Sequence, residues 1–228
     1  MTATNLSPVV AVIPALNEVT RIAAVIEQTK PFVDHVVVID DGSTDGTGAV
    51  ARQSGAIVVR HAQNLGPGGA TMTGIEAARR LGAQAVVTLD ADGQHFGSDI
   101  PAFLAPLQSG EADVAFANRF GRVNNIPAVR RLANAVGNLI TYFATGLWVS
   151  DSQCGLKAFG PKVVQGISLR MTGFEFCTEI VREVARHEWR FVEVPAKVVY
   201  SEYTMAKGQS FANGLKTAAR ILLRSFLR

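Results

Sequence analysis

Apolar runs rich in Val and Ile recur along the chain at 9–16, 35–41, 56–61, 85–92 and 112–119, each bounded by turn residues. Short apolar runs without polar alternation are what strands covered by helices on both faces require. Between these runs the apolar residues fall at a helical period. Asn17 is placed to cap a first helix and Glu18 suits its first turn, while Val19, Ile22, Ala23 and Ile26 form a core-facing stripe at i, i+3, i+4 and i+7. Further helices are predicted at 44–53, 69–81, 98–108, 129–145, 174–187 and 211–227. A late strand is predicted at 191–200, with Val192, Val194 and Ala196 on one face. The alternation predicts an α/β fold with a mostly parallel sheet flanked by helices. No repeat, linker or low-complexity segment divides the chain, so 1–228 reads as a single domain, long enough to bury such a sheet.

Composition narrows the class. Hydrophobic residues make up 48% and charged ones 18% of the 228, which excludes a disordered or fibrous chain. The net charge of +3 is too small to imply a general affinity for nucleic acid, and no nucleic acid is expected as a partner. Where the charge sits matters more. Lys216, Arg220, Arg224 and Arg228 recur every four residues among Leu215, Ala219, Leu222, Leu223, Phe226 and Leu227. That pattern fits a C-terminal basic amphipathic helix, 211–228, lying on an anionic membrane surface, and equally a helix docked on the domain with a solvated basic edge. No stretch reaches the roughly 18 uninterrupted apolar residues of a membrane span. The nearest, 132–149, is broken by Asn134, Asn138, Thr141 and Thr145, so peripheral attachment is expected in preference to spanning. Cys154 and Cys177 make no CxxC motif and read as reduced and structural, and the first eight residues lack a signal peptide's basic start and apolar run. A cytoplasmic protein, peripheral on the cytoplasmic face of the membrane, is expected.

In open α/β sheets ligands gather at the carboxyl ends of the strands. Three predicted strand ends are polar: Pro14-Ala-Leu-Asn-Glu18, Asp40-Asp-Gly-Ser-Thr-Asp-Gly-Thr47 and Asp90-Ala-Asp-Gly-Gln-His95. On an extended segment, residues two apart point the same way, so Asp90 and Asp92 can face one ion and Gln94 adds a neutral oxygen. Such donors suit Mg²⁺ or Mn²⁺, which keep places open for water and substrate phosphate. The competing reading is that one Asp caps the helix starting near Ser98. Asp40 and Asp41 can accept hydrogen bonds from a base or ribose, or serve an Asx turn and helix cap with Ser43 or Asp45. Asn64-Leu-Gly-Pro-Gly-Gly69 is a permissive loop before a helix, placed to approach phosphate or to act as a plain turn.

In this order the blocks PALNE, DDGSTDGT, NLGPGG, DADGQH, ANRF at 118–120 and its preceding Ala117, DSQCGLKAF at 151–159 and EVPAKVVY at 193–200 resemble the family 2 glycosyltransferases. The likeness is greatest to the branch holding dolichyl-phosphate mannose synthases and bacterial polyprenyl-phosphate glycosyltransferases, and it runs from Val9 to about Ser210. The resemblance implies the single-domain, Rossmann-like GT-A fold and an inverting, metal-dependent hexosyl transfer from a GDP- or UDP-hexose to a polyprenyl phosphate. It places Pro14, Ala15, Asn17 and Glu18 beside the nucleotide, Asp41 on base or ribose, Ala91 beside the donor, and Asp90, Asp92 and Gln94 on Mg²⁺ or Mn²⁺. Arg119, with Arg130 or Arg131, would grip the acceptor phosphate, as arginine's fork suits phosphate oxygens. Lys207 would close over the diphosphate. Pro67 stands where many relatives carry a basic residue, and the tail 200–210 matches the bacterial group better than the mannose synthases, so mannose does not follow. Two other enzyme classes fit less well. A haloacid dehalogenase phosphatase carries its DxD after the first strand, and a dinucleotide oxidoreductase needs GxGxxG where PALNE stands. A saccharide-hydroxyl acceptor, a noncatalytic nucleotide-binding membrane subunit, and a separate membrane protein as partner stay open.

Overall fold

The computed structural model describes residues 4–122 and 124–199. Seven strands form one sheet: β1 (Val9–Ala15), β2 (His35–Asp40), β3 (Ile57–Arg60), β4 (Ala85–Thr88), β5 (Val114–Asn118), β6 (Lys157–Phe159) and β7 (Phe191–Pro195), in the order β3-β2-β1-β4-β6-β5-β7. The five apolar runs and the late strand are all there, parallel to their neighbours except where β6 intervenes. That strand is antiparallel to both β4 and β5 and was not predicted, since three residues with a lysine among them show no period.

The helices are α1 (Ile22–Thr29), α2 (Thr47–Gln53), α3 (Pro67–Arg80), α4 (Ile100–Gln108), α5 (Ala128–Thr145), α6 (Pro161–Gly166) and α7 (Phe176–Arg186). Alternate residues of β1 serve two cores, as the period of two in a strand requires. Ala11, Ile13 and Ala15 pack with Ile22, Ile26, Ala51 and Phe103 under α1, α2 and α4. Val10 and Val12 pack with Ile75, Val163 and Ile180 under α3, α6 and α7. Each fully buried Ile or Phe contributes about 1.5–3 kcal/mol, so the sheet is the rigid part on which the loops are mounted.

Two local expectations are corrected. Helix α1 starts at Ile22, so Asn17 does not cap it, and Arg21 holds the capping position without capping the helix through its side chain. Ile22, Val25, Ile26 and Thr29 face the core, while Val19 and Ala23 are only half-buried. Residues 16–21 are held in a turn by the next loop, described below, and that delays the helix.

Helix α5 is inverted relative to a usual surface helix. Its buried residues are Asn138 and Thr141. Asn138 Oδ1 accepts hydrogen bonds from the Ser152 amide (3.0 Å) and hydroxyl (2.9 Å), and Thr141 shares one with Thr178 of α7 (2.9 Å). Val129, Leu132, Val136, Leu139, Tyr142 and Phe143 point outward, with Val129, Leu132 and Phe143 exposed at 74%, 66% and 73%. Two of the polar residues that interrupt the apolar run thus tie the helix to the domain. Among the described residues no helix is long and apolar enough to cross a membrane. The predicted helix 211–228 and Lys207 lie outside the described residues.

Candidate functional site

The carboxyl ends of β1 and β2 are joined by hydrogen bonds between their loops. The Asn17 amide donates to Ser43 Oγ (3.0 Å), that of Glu18 to Thr47 Oγ1 (2.8 Å) and that of Val19 to Asp45 Oδ2 (3.1 Å), while Asn17 Oδ1 accepts from the Thr44 amide (2.9 Å). Asn17 reaches φ 54 to do so, a left-handed geometry that asparagine tolerates better than most residues. The closure buries the Glu18 side of the turn and leaves Asn17 exposed. At the end of β1, Pro14 is half-buried and Ala15 packs into the core, its carbonyl accepting from the Asp41 amide (2.9 Å).

Asp41 is buried and engaged. Its Oδ1 accepts from the Leu65 amide (2.9 Å) and meets His61 Nδ1 (2.7 Å), and its Oδ2 accepts from the Gly66 amide (2.8 Å). The carboxylate therefore clamps the glycine loop at the head of α3. Three of its roughly four lone-pair sites are used, which leaves one for a ligand hydroxyl or N–H. Asp41→Ala strands the Leu65 amide and leaves the Gly66 amide to Asn64 Oδ1 (2.7 Å) alone. It is expected to cost about 2–3 kcal/mol and lower the melting temperature by about 5–10 °C. Thermal melting at neutral pH checks this, and an unchanged midpoint would show that the loop holds itself.

The Asp90–Gln94 segment departs from the expected geometry. Strand β4 ends at Thr88, and the chain turns through Gly93 at φ 76, with Asp92 Oδ1 accepting from the Gln94 amide (2.9 Å). Asp90 and Asp92 are thus brought near each other by a turn, not by strand alternation. Ala91 between them turns its side chain into the core. The Asp90 side chain is half exposed. His95 Nε2, buried, lies 3.6 Å from Asp90 Oδ2 and 3.7 Å from Cys154 Sγ. Lys157 of β6 is buried beneath the same turn, and its Nζ donates to the Cys154 carbonyl.

These surroundings drive the two acids apart. For Asp90, burial acts to raise the pKa, but the His95 hydrogen bond and charge, then Lys157 and Arg119, outweigh it and hold the carboxyl below the usual range. Asp92 is pushed up to about 6, first by burial and then by the charge of Asp90, with Glu18 adding to the repulsion. For His95, burial opposes the charged form, yet Cys154 and Asp90 beside it push its pKa upward. Glu18, Asp90 and Asp92 therefore crowd negative charge at one strand edge, which a divalent cation relieves. Among the described residues no group of three or more His, Cys, Asp or Glu forms a metal cage. Magnesium commonly uses only one or two protein carboxylates and fills its other places with water and phosphate, so this donor set fits Mg²⁺ or Mn²⁺.

Arg119 follows β5 and reaches the same site, close enough to act on the Asp90 charge. Its Nε and one terminal nitrogen both donate to Asp151 at 2.7 Å, to Oδ2 and Oδ1 respectively, and its amide donates to Oδ2 at 3.0 Å. The guanidinium plane is fixed by this buried carboxylate. Arg131 is exposed on the first turn of α5 and Arg130 is half-buried. The structure thus brings together Glu18, Asp90, Asp92 and Arg119, and leaves Arg131 on the surface nearby in sequence. Sequence reasoning assigned no role to His95, Asp151, Gly155 or Lys157. The last of these had a signal in its charged side chain within the apolar stretch Leu156-Lys-Ala-Phe159.

The sequence matches the family model described as glycosyl transferase family 2 over residues 10–165. It is 32% identical to a UDP-N-acetylglucosamine–dolichyl-phosphate N-acetylglucosaminyltransferase of Methanococcus voltae, over 93% of this chain and 94% of that protein. It is 28% identical to a polyprenol monophosphomannose synthase of Mycolicibacterium smegmatis, over 86% of this chain and 79% of the other. Among solved structures, glucosyl-3-phosphoglycerate synthase from Mycobacterium tuberculosis, crystallised with Mn²⁺, uridine diphosphate and glucosyl-3-phosphoglycerate, superimposes with a TM-score of 0.69 at 22% identity. That likeness covers 98% of this chain and 80% of the synthase, and it shows the shared GT-A fold.

Proposed function

Because the chain belongs to the family 2 glycosyltransferases, we propose that it moves a hexose from a GDP- or UDP-sugar to the phosphate of a polyprenyl lipid, with inversion at the anomeric carbon. The observation that carries this reading is the meeting of the Asp90–Asp92 turn with the Arg119 guanidinium at one sheet edge, an anionic half for a metal diphosphate beside a cationic half for an acceptor phosphate. The names of the relatives support a polyprenyl phosphate acceptor.

In this reading the oxygens of Asp90, Asp92 and Gln94 would hold Mg²⁺ or Mn²⁺, which would neutralise the diphosphate leaving group. The backbone of Pro14 and Ala15, with Asn17 and Glu18, borders the nucleotide, and the remaining lone pair of Asp41 accepts from ribose or base. Arg119, its plane set by Asp151, and Arg131 orient the acceptor phosphate. An oxygen of that phosphate attacks the anomeric carbon while the bond to the diphosphate breaks and its electron pair leaves with the nucleotide. A phosphate monoester with a second pKa of about 6 is already an anion near neutral pH, so no strong general base is needed. Lys207 is assigned to closing over the diphosphate. Incubating the purified protein with Mn²⁺, polyprenyl phosphate and a panel of nucleotide sugars tests the reading. A lipid-linked sugar phosphate is expected, and its absence with every donor would overturn it.

A lipid-borne acceptor calls for contact with a membrane, and the outward apolar face of α5 supports a peripheral one. The helix is about 27 Å long, holds Arg130 and Arg131 and no acid, and is followed by the exposed Trp148. Basic residues near an anionic surface contribute about 1 kcal/mol each, and aromatic rings favour the lipid–water interface. The combined Leu132→Ser, Phe143→Ser and Trp148→Ser variant is expected to melt like the wild type, since these side chains are exposed, and to bind anionic vesicles at least tenfold more weakly. Equal binding would move the contact to 211–228. A wild type that ignores vesicles would point to a separate membrane protein.

A further inference from the structure

We infer that Gly155 is a positioning residue for Asp90: the absence of a side chain at 155 sets where that carboxylate stands, and with it the affinity of the site for a divalent cation. A Cβ added at Gly155 would overlap Asp90 Cγ and both carboxylate oxygens. The carboxyl group therefore lies flat against the Gly155 Cα, in the space any other residue would fill. Backbone conformation does not explain the glycine, because Gly155 is not among the residues with positive φ. Space alone excludes a side chain.

The wall is itself fixed. Thr88 Oγ1, at the last residue of β4, donates to the Gly155 carbonyl (2.7 Å), and Thr88 pairs with Lys157 across the antiparallel β4–β6 ladder. Two residues after the strand that leads into Asp90, the chain thus meets a backbone wall tied to that same strand. On another side His95 Nε2 stands 3.6 Å from Asp90 Oδ2, itself immobilised by burial. Asp90 is left with its open half facing solvent, where a cation and diphosphate would arrive. A carboxylate at the end of a short side chain is easily displaced. Adding a methyl group at 155 therefore turns Asp90 away at little expense to the fold, but removes one oxygen donor from a site that has few.

The inference rests on the metal reading above, and the experiment separates the two. Mn²⁺ binding is measured by the loss of the free-ion electron paramagnetic resonance signal, in the presence of UDP or of GDP, for wild type, Gly155→Ala, Asp90→Ala and the double variant. Gly155→Ala is expected to bind Mn²⁺ at least tenfold more weakly. Because it acts through Asp90, it should add nothing in the Asp90→Ala background, a non-additivity that independent sites do not show. Melting supplies the second arm. Any loss of stability in Gly155→Ala should be restored in the double variant, where removal of the carboxylate frees the space. Gly74→Ala, whose Cβ would overlap Val12 in the core, should instead lose stability and keep its Mn²⁺ affinity. Wild-type affinity in Gly155→Ala, or a double variant weaker than either single one by the product of their effects, overturns the inference alone. A wild type that binds no Mn²⁺ with either nucleotide overturns the metal reading with it.

Discussion

Asp92→Asn is expected to fold, to melt a few degrees above the wild type at pH 7 in the absence of metal, and to transfer sugar about a thousandfold more slowly. The two effects have one cause. Burial and the Asp90 charge push the Asp92 pKa from 3.8 to about 6, so the folded chain prefers the protonated carboxyl. A folded-state pKa raised in this way contributes stability that is complete below the unfolded pKa and lost as pH rises through the folded one. The wild type therefore loses on the order of 1–3 kcal/mol between pH 4 and 7 from this group, and the neutral Asn variant does not. Its melting advantage should grow across that window and level off above it. Mn²⁺ with a nucleoside diphosphate should reverse the order, because binding stabilises only the chain that has the site. Scanning calorimetry against pH, paired with transfer rates, checks both. Turnover at the wild-type rate in the variant, or full wild-type activity after exhaustive chelation, would end the metal hypothesis.

The second large effect is expected at Arg119. Its fork is closed on Asp151, which is 1% exposed, so Arg119→Ala leaves a carboxylate buried without its ion pair. Breaking one partner of a buried pair costs about 3–5 kcal/mol, and the melting midpoint should fall by about 10 °C. Below that midpoint, transfer to polyprenyl phosphate should fall more than slow hydrolysis of the donor by water, because only transfer needs the acceptor phosphate held. Arg131→Ala, at an exposed position, should show the same kinetic split without the loss of stability. If transfer and hydrolysis decline by one factor in both variants, the arginines act on the donor or the fold instead.

How far the sequence could be read follows from what each feature depends on. The strands β1, β2, β4 and β5 were legible because burial on both faces demands an uninterrupted apolar run, which is a local property, and β3, half-buried or exposed at the sheet edge, by its short β-branched run. Strand β6 was not, since its three residues become a strand only by pairing with β4 and β5, which lie far from it along the chain. The acids at 90 and 92 were legible as a pair, but the turn that joins them depends on Gly93 and on the Gln94 amide. Asn17 was read as a cap because a cap is the nearest use for such a residue, and the structure uses it on a neighbouring loop. In α5 the polar interruptions were visible, whereas the fact that Asn138 and Thr141 face inward depends on Ser152 and Thr178. Buried charge is the hardest case. Lys157 and His95 make sense only as neighbours of Asp90, and distance in three dimensions is not written in any single stretch.

The reversed strand β6 also bears on how such an enzyme can change. The chain leaves the sheet after Asn118 and re-enters at Lys157 on the adjoining strand, so the whole excursion begins and ends at one place on one edge. A parallel β6 would have forced a crossing to the opposite edge before re-entry. The excursion holds Arg119, Arg131, α5, Asp151 and Gly155, and the Arg119–Asp151 pair latches its two ends. It is therefore a cassette, replaceable by a homologous block of different length without redrawing the topology around it. Grafting the corresponding segment of a relative between residues 118 and 157 should exchange the acceptor while keeping the donor, provided the graft brings its own latch, partners for Thr178, Glu193 and Ala196 outside it, and a glycine at the position facing Asp90.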